Sequence, residues 1–176
     1  EAFKATLHPF VRNTVGCMEF GGCFMNRILN KQNSGRGSQL KTTPIFQIAT
    51  EVIFQNPIQN IAICPNNLED APKICMDWPR DAPTTWTETR FLDGYPGKYV
   101  ILARKSTDGR WFVAGLNATK EVIKSKIDLS FLGDGEVQFY TDDKKTLEPS
   151  LSTLKLKTKK PYEFVMQPSG ATMIMK

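Results

Sequence analysis

Pro83-Thr-Thr-Trp-Thr-Glu-Thr-Arg-Phe-Leu-Asp-Gly-Tyr-Pro-Gly-Lys-Tyr99 divides the chain into two unlike parts. Within it Thr85, Thr87 and Thr89 alternate with Trp86, Glu88 and Arg90, the period of a strand with one exposed face. Asp93-Gly94 and Pro96-Gly97 supply turn chemistry, because Gly accepts positive φ and Pro presets its own. Those turns return the chain into a second strand, Lys98 to Arg104. From there on the pattern predicts strands at 85–92, 98–105, 110–116, 122–130, 135–141, 151–157, 161–167 and 171–175. Asp108-Gly109, Gly133-Asp134-Gly135 and Ser169-Gly170 separate them. Short strands at that spacing predict an antiparallel β-sandwich.

Upstream the grammar changes. His8 to Val15, with Phe10, Val11 and Val15, reads as a short strand ending at Gly16. Gly21-Gly22 to Gly35-Arg36-Gly37 reads as a glycine-rich loop with a helical turn around Phe24 to Leu29. Thr43 is a good N-cap with Pro44 at the first helical position, and Ile45, Ile48, Ala49, Val52 and Ile53 fall on one helical face. Asn56-Pro57 ends that helix. Ile58 to Cys64 reads as a mostly buried strand, and Asn66-Asn67 cap a second helix to about Met76. Strand, helix, strand, helix is the order of a parallel α/β unit. The fold class is therefore α+β: an α/β segment over 1–82, then an antiparallel sandwich over 83–176.

The chain has 176 residues, 40% apolar and 23% charged, which is ordinary for a globular protein. No apolar run approaches the roughly 20 residues of a membrane helix, and no basic start precedes an apolar core as in a signal peptide. The net charge of +5 is uneven: residues 1–79 hold seven basic and six acidic side chains, residues 80–176 sixteen and twelve. Lys155 and Lys157 alternate with Leu154 and Leu156, so they and Lys159 and Lys160 read as a solvated strand face, with no nucleic-acid motif beside them. Cys17, Cys23, Cys64 and Cys75 lack zinc-ribbon spacing and His8 is the lone histidine, so no metal site is expected; most of the cysteines read as buried free thiols, with a Cys17–Cys23 or Cys64–Cys75 disulfide left open. Asn117-Ala118-Thr119 matches a glycosylation acceptor, a pattern common by chance.

The run from Thr84 to Arg104, followed by Trp111-Phe-Val-Ala-Gly-Leu-Asn117 and preceded by Pro9-Phe-Val-Arg-Asn-Thr-Val-Gly16, closely resembles the C-terminal region of glycoside hydrolase family 97. Members are bacterial α-glucosidases and α-galactosidases with an N-terminal β-domain, a (β/α)8 barrel holding calcium, and a C-terminal β-domain. The resemblance implies that 1–82 form the last two barrel units and 83–176 the C-terminal domain. The chain would then be the non-catalytic end of a hydrolase cleaving α-glucosidic or α-galactosidic bonds; the alternative is a stand-alone sandwich for sugar binding or oligomerisation. It further implies calcium in the complete enzyme but no cofactor in this part. An α-linked oligosaccharide or glycoside would be the substrate, homo-oligomers the assembly, and the periplasm or the exterior the location. Nothing points to nucleic acid or to a membrane.

In such a barrel, chemistry gathers at the C-terminal strand ends, here Gly16-Cys17-Met18-Glu19 and Ile63-Cys64-Pro65-Asn66. Glu19 is their sole carboxylate, whereas glycoside hydrolysis needs two, so no catalytic residue is assigned. The family usually carries Met-Asp-Tyr-Thr-Pro where this chain has Met18-Glu19-Phe20-Gly21-Gly22, and an acidic residue near the position of Ile63. Glu19, Arg12 and Asn13 are the candidate substrate-lining residues. Glu88, Arg90 and Asp93 form a polar cluster expected at the domain interface, with Glu88 and Arg90 pairing on one strand face. Trp86 and Trp111 read as core. An exposed strand over Ile58 to Ile63 would be a sticky edge.

Overall fold

A computed structural model describes residues 2–29 and 38–176. Most of the chain is β: α1 (Ala2–Val11), β1 (Phe20–Phe24), β2 (Ile28–Leu29), β3 (Ser38–Gln39), α2 (Pro44–Ile53), β4 (Gln59–Ala62) and α3 (Lys73–Asp77) precede eight strands. These are β5 (Trp86–Tyr95), β6 (Tyr99–Ser106), β7 (Trp111–Asn117), β8 (Ile123–Ile127), β9 (Gly135–Asp142), β10 (Pro149–Leu156), β11 (Tyr162–Met166) and β12 (Ala171–Met175). No helix is long and apolar enough to cross a membrane among the described residues.

The predicted strand over His8–Val15 is instead the end of α1 and the turns that follow it. The helix starts in the Ala-rich run before His8, buries Ala5 and Thr6, and carries Pro9 in its interior. Pro9 and the weak alternation beside it favour other readings locally, but packing of one face decides the matter. The glycine-rich loop holds two further strands, β1 and β2, in place of the expected helical turn; its 30–37 portion lies outside the described residues.

The α2 reading holds. Thr43 Oγ1 accepts from Phe46 N at 3.1 Å, with Pro44 behind it. All ten residues of α2 are buried, because the helix lies between β1 on one side and β7 and β12 on the other. Each fully buried Ile or Val there contributes roughly 1.5–3 kcal/mol before entropy. β1 and β4 pair in parallel, Cys23 opposite Ile61 and Phe24 opposite Ala62, so β1–α2–β4 is a β–α–β unit. The stretch read as a buried strand is less buried than its composition suggested: Ile58, just before β4, is 63% exposed and Ile61, within it, 38%. The second predicted helix is split: a 3₁₀ turn over Pro65–Asp70 stops at Ala71, which is extended, and α3 restarts after Pro72. The residue before a proline is driven out of the helical region.

Downstream, six strands form one antiparallel sheet in the order β10-β9-β12-β7-β6-β5, and β11 pairs with β8 in a second sheet. β5 runs through Asp93-Gly94 in place of the expected turn, with a register shift just before it, between Phe91 and Asp93. The reversal is at Pro96-Gly97, closed by Lys98 N to Tyr95 O at 2.9 Å. Gly97 has φ +76° and a Cβ there would lie 2.4 Å from the Phe3 ring of α1. β6 and β7 read as continuous apolar runs because both their faces are covered. Ile101, Ala103 and Val113 meet Phe164 and Met166 of the second sheet. Val100, Leu102, Phe112 and Ala114 belong to one cluster with Ile45, Ile48, Ala49 and Val52 of α2. Gly115 lets the sheets approach: a Cβ there would sit 2.6 Å from Met166 Sδ.

Candidate functional site

The parallel pair gives the N-terminal layer a direction. At the C-terminal ends of β1 and β4, Asn26 is fully buried; it donates from Nδ2 to Asp70 Oδ1 at 2.9 Å and accepts the Cys64 N–H on Oδ1. The other Asp70 oxygen accepts from Ile28 N at 2.8 Å. Asn26 and Asp70 thus tie the loops after the two strands together. Phe24 N donates to Gln47 Oε1 of α2 at 3.2 Å, which adds the helix to the tie.

Glu19 immediately precedes β1 and so lies at the opposite end, roughly 20 Å away by strand rise. It is exposed and accepts from Asn60 Nδ2 at 3.4 Å. Arg12 reaches the Cys17 carbonyl at 3.4 Å. Asn13 donates to Ile53 O at 2.9 Å and accepts from Gln55 N at 3.2 Å, closing the end of α2. The sequence placed these three at a strand's C-terminal end because it took residues 8–15 for that strand; the structure puts Arg12 and Asn13 in the turns after α1 and Glu19 just before β1.

The densest electrostatics lie where the N-terminal layer meets the sheet. Asp142 Oδ2 accepts from Thr43 Oγ1 at 2.9 Å and from Ala171 N at 2.8 Å, so one carboxylate oxygen holds both the start of α2 and the start of β12. Burial pushes the Asp142 carboxyl up to about 7, against the lowering effect of those two bonds. Glu51 is the one charged residue of α2; it accepts from Trp78 Nε1 at 2.8 Å, and burial raises its pKa while bonds from Cys23 and Trp78 pull it down. Arg104, 1% exposed, donates to Phe54 O at 2.8 Å and Gln55 Oε1 at 3.0 Å, and burial lowers its pKa to about 10. Arg27 and Glu148 form a bidentate ion pair from the β1 end to the loop before β10.

Other sequence candidates fall elsewhere. Glu88 and Arg90 do pair, Nε to Oε1 at 2.6 Å, but Arg90 lies over the Trp111 and Phe131 rings at 5.0 and 4.5 Å, on the side of the second sheet. Asp93 bonds Tyr99 and Ser125 on that side, so the trio does not face the N-terminal layer. Trp86 and Trp111 each pack against a core cluster, and Trp78 is 2% exposed. Lys155, Lys157, Lys159 and Lys160 are exposed. All four cysteines are unpaired; Cys23 and Cys75 are buried, Cys64 is half-buried and Cys17 is exposed. Burial drives Cys75 up to about 12, which makes it a packing group and not a nucleophile. Among the described residues no three His, Cys, Asp or Glu side chains converge as a metal site would require.

A cleft of about 630 Å³ opens between α1, α2 and the β3 region, lined by Ala5, His8, Phe24, Phe46 and Thr50 and rimmed by Lys4, Lys41 and Lys120. Among the described residues its lining holds no carboxylate.

Residues 85–175, more than half of the chain, match the profile described as glycosyl-hydrolase 97 C-terminal, oligomerisation. The chain belongs to that family. A probable retaining α-galactosidase from Streptomyces bingchenggensis is 33% identical over 62% of the chain, and a retaining α-galactosidase from Bacteroides thetaiotaomicron 28% identical over 72%. The chain spans 16% and 19% of the lengths of these two relatives. Among solved structures, a β-arabinopyranosidase is 50% identical, superposes with a TM-score of 0.90, and covers 99% of this chain and 27% of its own. A family 97 enzyme from a Pseudoalteromonas species, solved with acarbose, shares the fold at 19% identity and a TM-score of 0.78, covering 99% of this chain and 28% of its own. Family 97 membership accounts for the two separated motifs, Pro9–Gly16 and Thr84–Asn117, which lie on α1 with its following turn and on β5–β7.

Proposed function

We propose that this chain is the C-terminal part of a family 97 glycosidase, non-catalytic by itself. Residues 1–82 would be the last two units of a (β/α)8 barrel, with β1 and β4 as its final strands, and 83–176 the β-domain that seals α2 and joins copies into a homo-oligomer. The observation that carries this reading is the parallel β1–α2–β4 unit, within a fold that is 50% identical over 99% of the chain to part of a β-arabinopyranosidase. In this arrangement the substrate side is the Asn26–Asp70 end, and Glu19, Arg12 and Asn13 support the opposite end. The catalytic carboxylates and calcium belong to preceding barrel units, and export to the periplasm or medium follows the family.

For the sugar, the relatives favour the galacto configuration. An α-D-galactopyranoside and a β-L-arabinopyranoside share ring stereochemistry and differ by one hydroxymethyl group, so one pocket shape serves both. The test is hydrolysis of nitrophenyl α-galactoside, β-L-arabinopyranoside and α-glucoside by the full-length enzyme and by the 176-residue chain. The full-length enzyme is expected to turn over the first two, and the chain alone none. Turnover by the chain alone, or a preference for the glucoside, overturns the reading.

A further inference from the structure

We propose that two copies of this chain associate by pairing their β10 strands edge to edge, antiparallel across a two-fold axis, to make one continuous sheet. This rests on the homo-oligomer reading above and names the surface that carries it.

A terminal strand leaves alternate N–H and C=O groups unpaired, and natural sheets blunt such edges with bulges, charges, prolines or cover. The six-stranded sheet ends at β5 and at β10. β5 is blunted: its ladder with β6 shifts register between Trp86 and Glu88 and again between Phe91 and Asp93, and Phe10 of α1 packs on Phe91. β10 is not. All eight of its residues pair with β9 without a shift. Ser150, Leu151, Ser152 and Thr153 are exposed in succession, so side chains on both faces reach solvent there although α3 lies near the strand. Leu151 is 44% exposed. In a chain of net charge +5, the run Pro149 to Leu154 carries no charge at all, whereas surface strand β8 carries Lys124 and Lys126.

A regular strand whose middle, Ser150 to Thr153, is uncharged and exposed is a template for another strand, and an antiparallel pair of identical strands is self-complementary. The contact closes at two copies. It also falls within residues 85–175, the part matching the oligomerisation profile. Glu148 is held by Arg27, which ends the available segment at Pro149. Centring the two-fold on Ser152 pairs Pro149 with Lys155 and places Leu151 of one copy opposite Thr153 of the other, on one face.

The test is sedimentation velocity of the full chain over a range of concentrations. Wild type is expected to dimerise. L151K/T153K sets Lys against Lys twice across the seam and weakens association at least roughly tenfold. L151K/T153E sets Lys against Glu at the same positions and restores it, while Thr89→Lys on β5 changes nothing. Circular dichroism and unfolding midpoints establish that each variant is folded. A wild type that stays monomeric at every concentration overturns the oligomer reading itself. An oligomer that survives L151K/T153K, or is broken by Thr89→Lys, overturns the β10 seam and leaves that reading intact. Loss of association in both double variants overturns the pairing about Ser152.

Discussion

Toward β8 and β11, the six-stranded sheet buries Ile101, Ala103, Val113 and Ile174 against Phe164 and Met166, and no charged side chain is buried with them. Toward α2, the same sheet buries Arg104 and Asp142, and α2 itself contributes Glu51. These three are the charged residues buried among the described residues. The first face is held mainly by shape and apolar area, with hydrogen bonds such as Ser125 to Asp93 and Asn117 Nδ2 to Met166 O at its margin. The second is held by bonds to buried charged groups, whose directions fix one orientation. A joint that must keep an α/β layer in one orientation on a sheet gains from the second kind, at the cost of desolvating the groups that make it.

The largest test of this contrast is on the apolar face. Phe164→Ala is expected to cost about 3–5 kcal/mol, because the 0% exposed ring leaves a cavity between two sheets that Gly115 has already brought close. Urea unfolding followed by tryptophan fluorescence measures it. A cost under about 1 kcal/mol would mean that the second sheet collapses onto the first and that the face is not close-packed.

On the polar face the equivalent probe is pH. The Asp142 carboxyl is raised in the folded state from 3.8 to about 7. A raised carboxyl stabilises fully below its unfolded value and progressively less as pH climbs through the folded one. Stability should therefore fall between about pH 4 and pH 7, by about 2–4 kcal/mol for this group. Asp142→Asn keeps a carbonyl oxygen for Thr43 and Ala171 and removes the titration. His8, whose pKa burial lowers, acts in the other direction near its ordinary value, so the readout is the difference between wild type and variant. An identical pH slope in the two proteins would exclude Asp142 as its source.

Next in size is Trp78→Phe. It keeps most of the ring that packs edge-on against Phe112 and Tyr140 at 5.9 and 5.5 Å, but deletes the donor to Glu51. Removing one partner from a buried carboxylate costs about 1–3 kcal/mol. Thermal unfolding of Trp78→Phe and of Trp78→Phe with Glu51→Gln separates the two effects: if the bond matters, the second change should recover part of the loss.

The same contrast explains what was legible in the sequence. β5 to β12 follow from alternation or, in β6 and β7, continuous apolar runs, together with turn residues, because each strand's pattern is set by its own two faces. α2 follows from Thr43, Pro44 and its apolar face for the same reason. The joint does not, since it depends on which distant residues meet. Glu51 is visible as the lone charge in an otherwise uncharged helix, and that is a usable signal. Asp142 looks like any acid beside a turn, yet it is bonded across 99 residues to Thr43. Asn26 and Asp70 sit 44 apart and meet only because β1 and β4 pair. Reading 8–15 as a strand set Arg12, Asn13 and Glu19 after a strand, whereas Arg12 and Asn13 follow α1 and Glu19 precedes β1, because local alternation does not show which face of that segment is packed.

The smallest expected effect belongs to the ion pair that crosses the joint at its edge. Arg27 and Glu148 meet in bidentate geometry, but their side chains are 38% and 50% exposed. Water and salt screen such a pair, and holding two long side chains costs entropy, so Arg27→Ala should change stability by about 0–1 kcal/mol, less at high salt. Its consequence for the joint is different in kind. Arg27 follows directly on Asn26 at the end of β1, and Glu148 directly precedes β10. The pair therefore links the loop after β1 to the strand proposed as the dimer seam. If Arg27→Ala leaves the unfolding midpoint in place yet weakens self-association, the pair fixes where β10 begins. An unchanged dissociation constant would confine it to the surface.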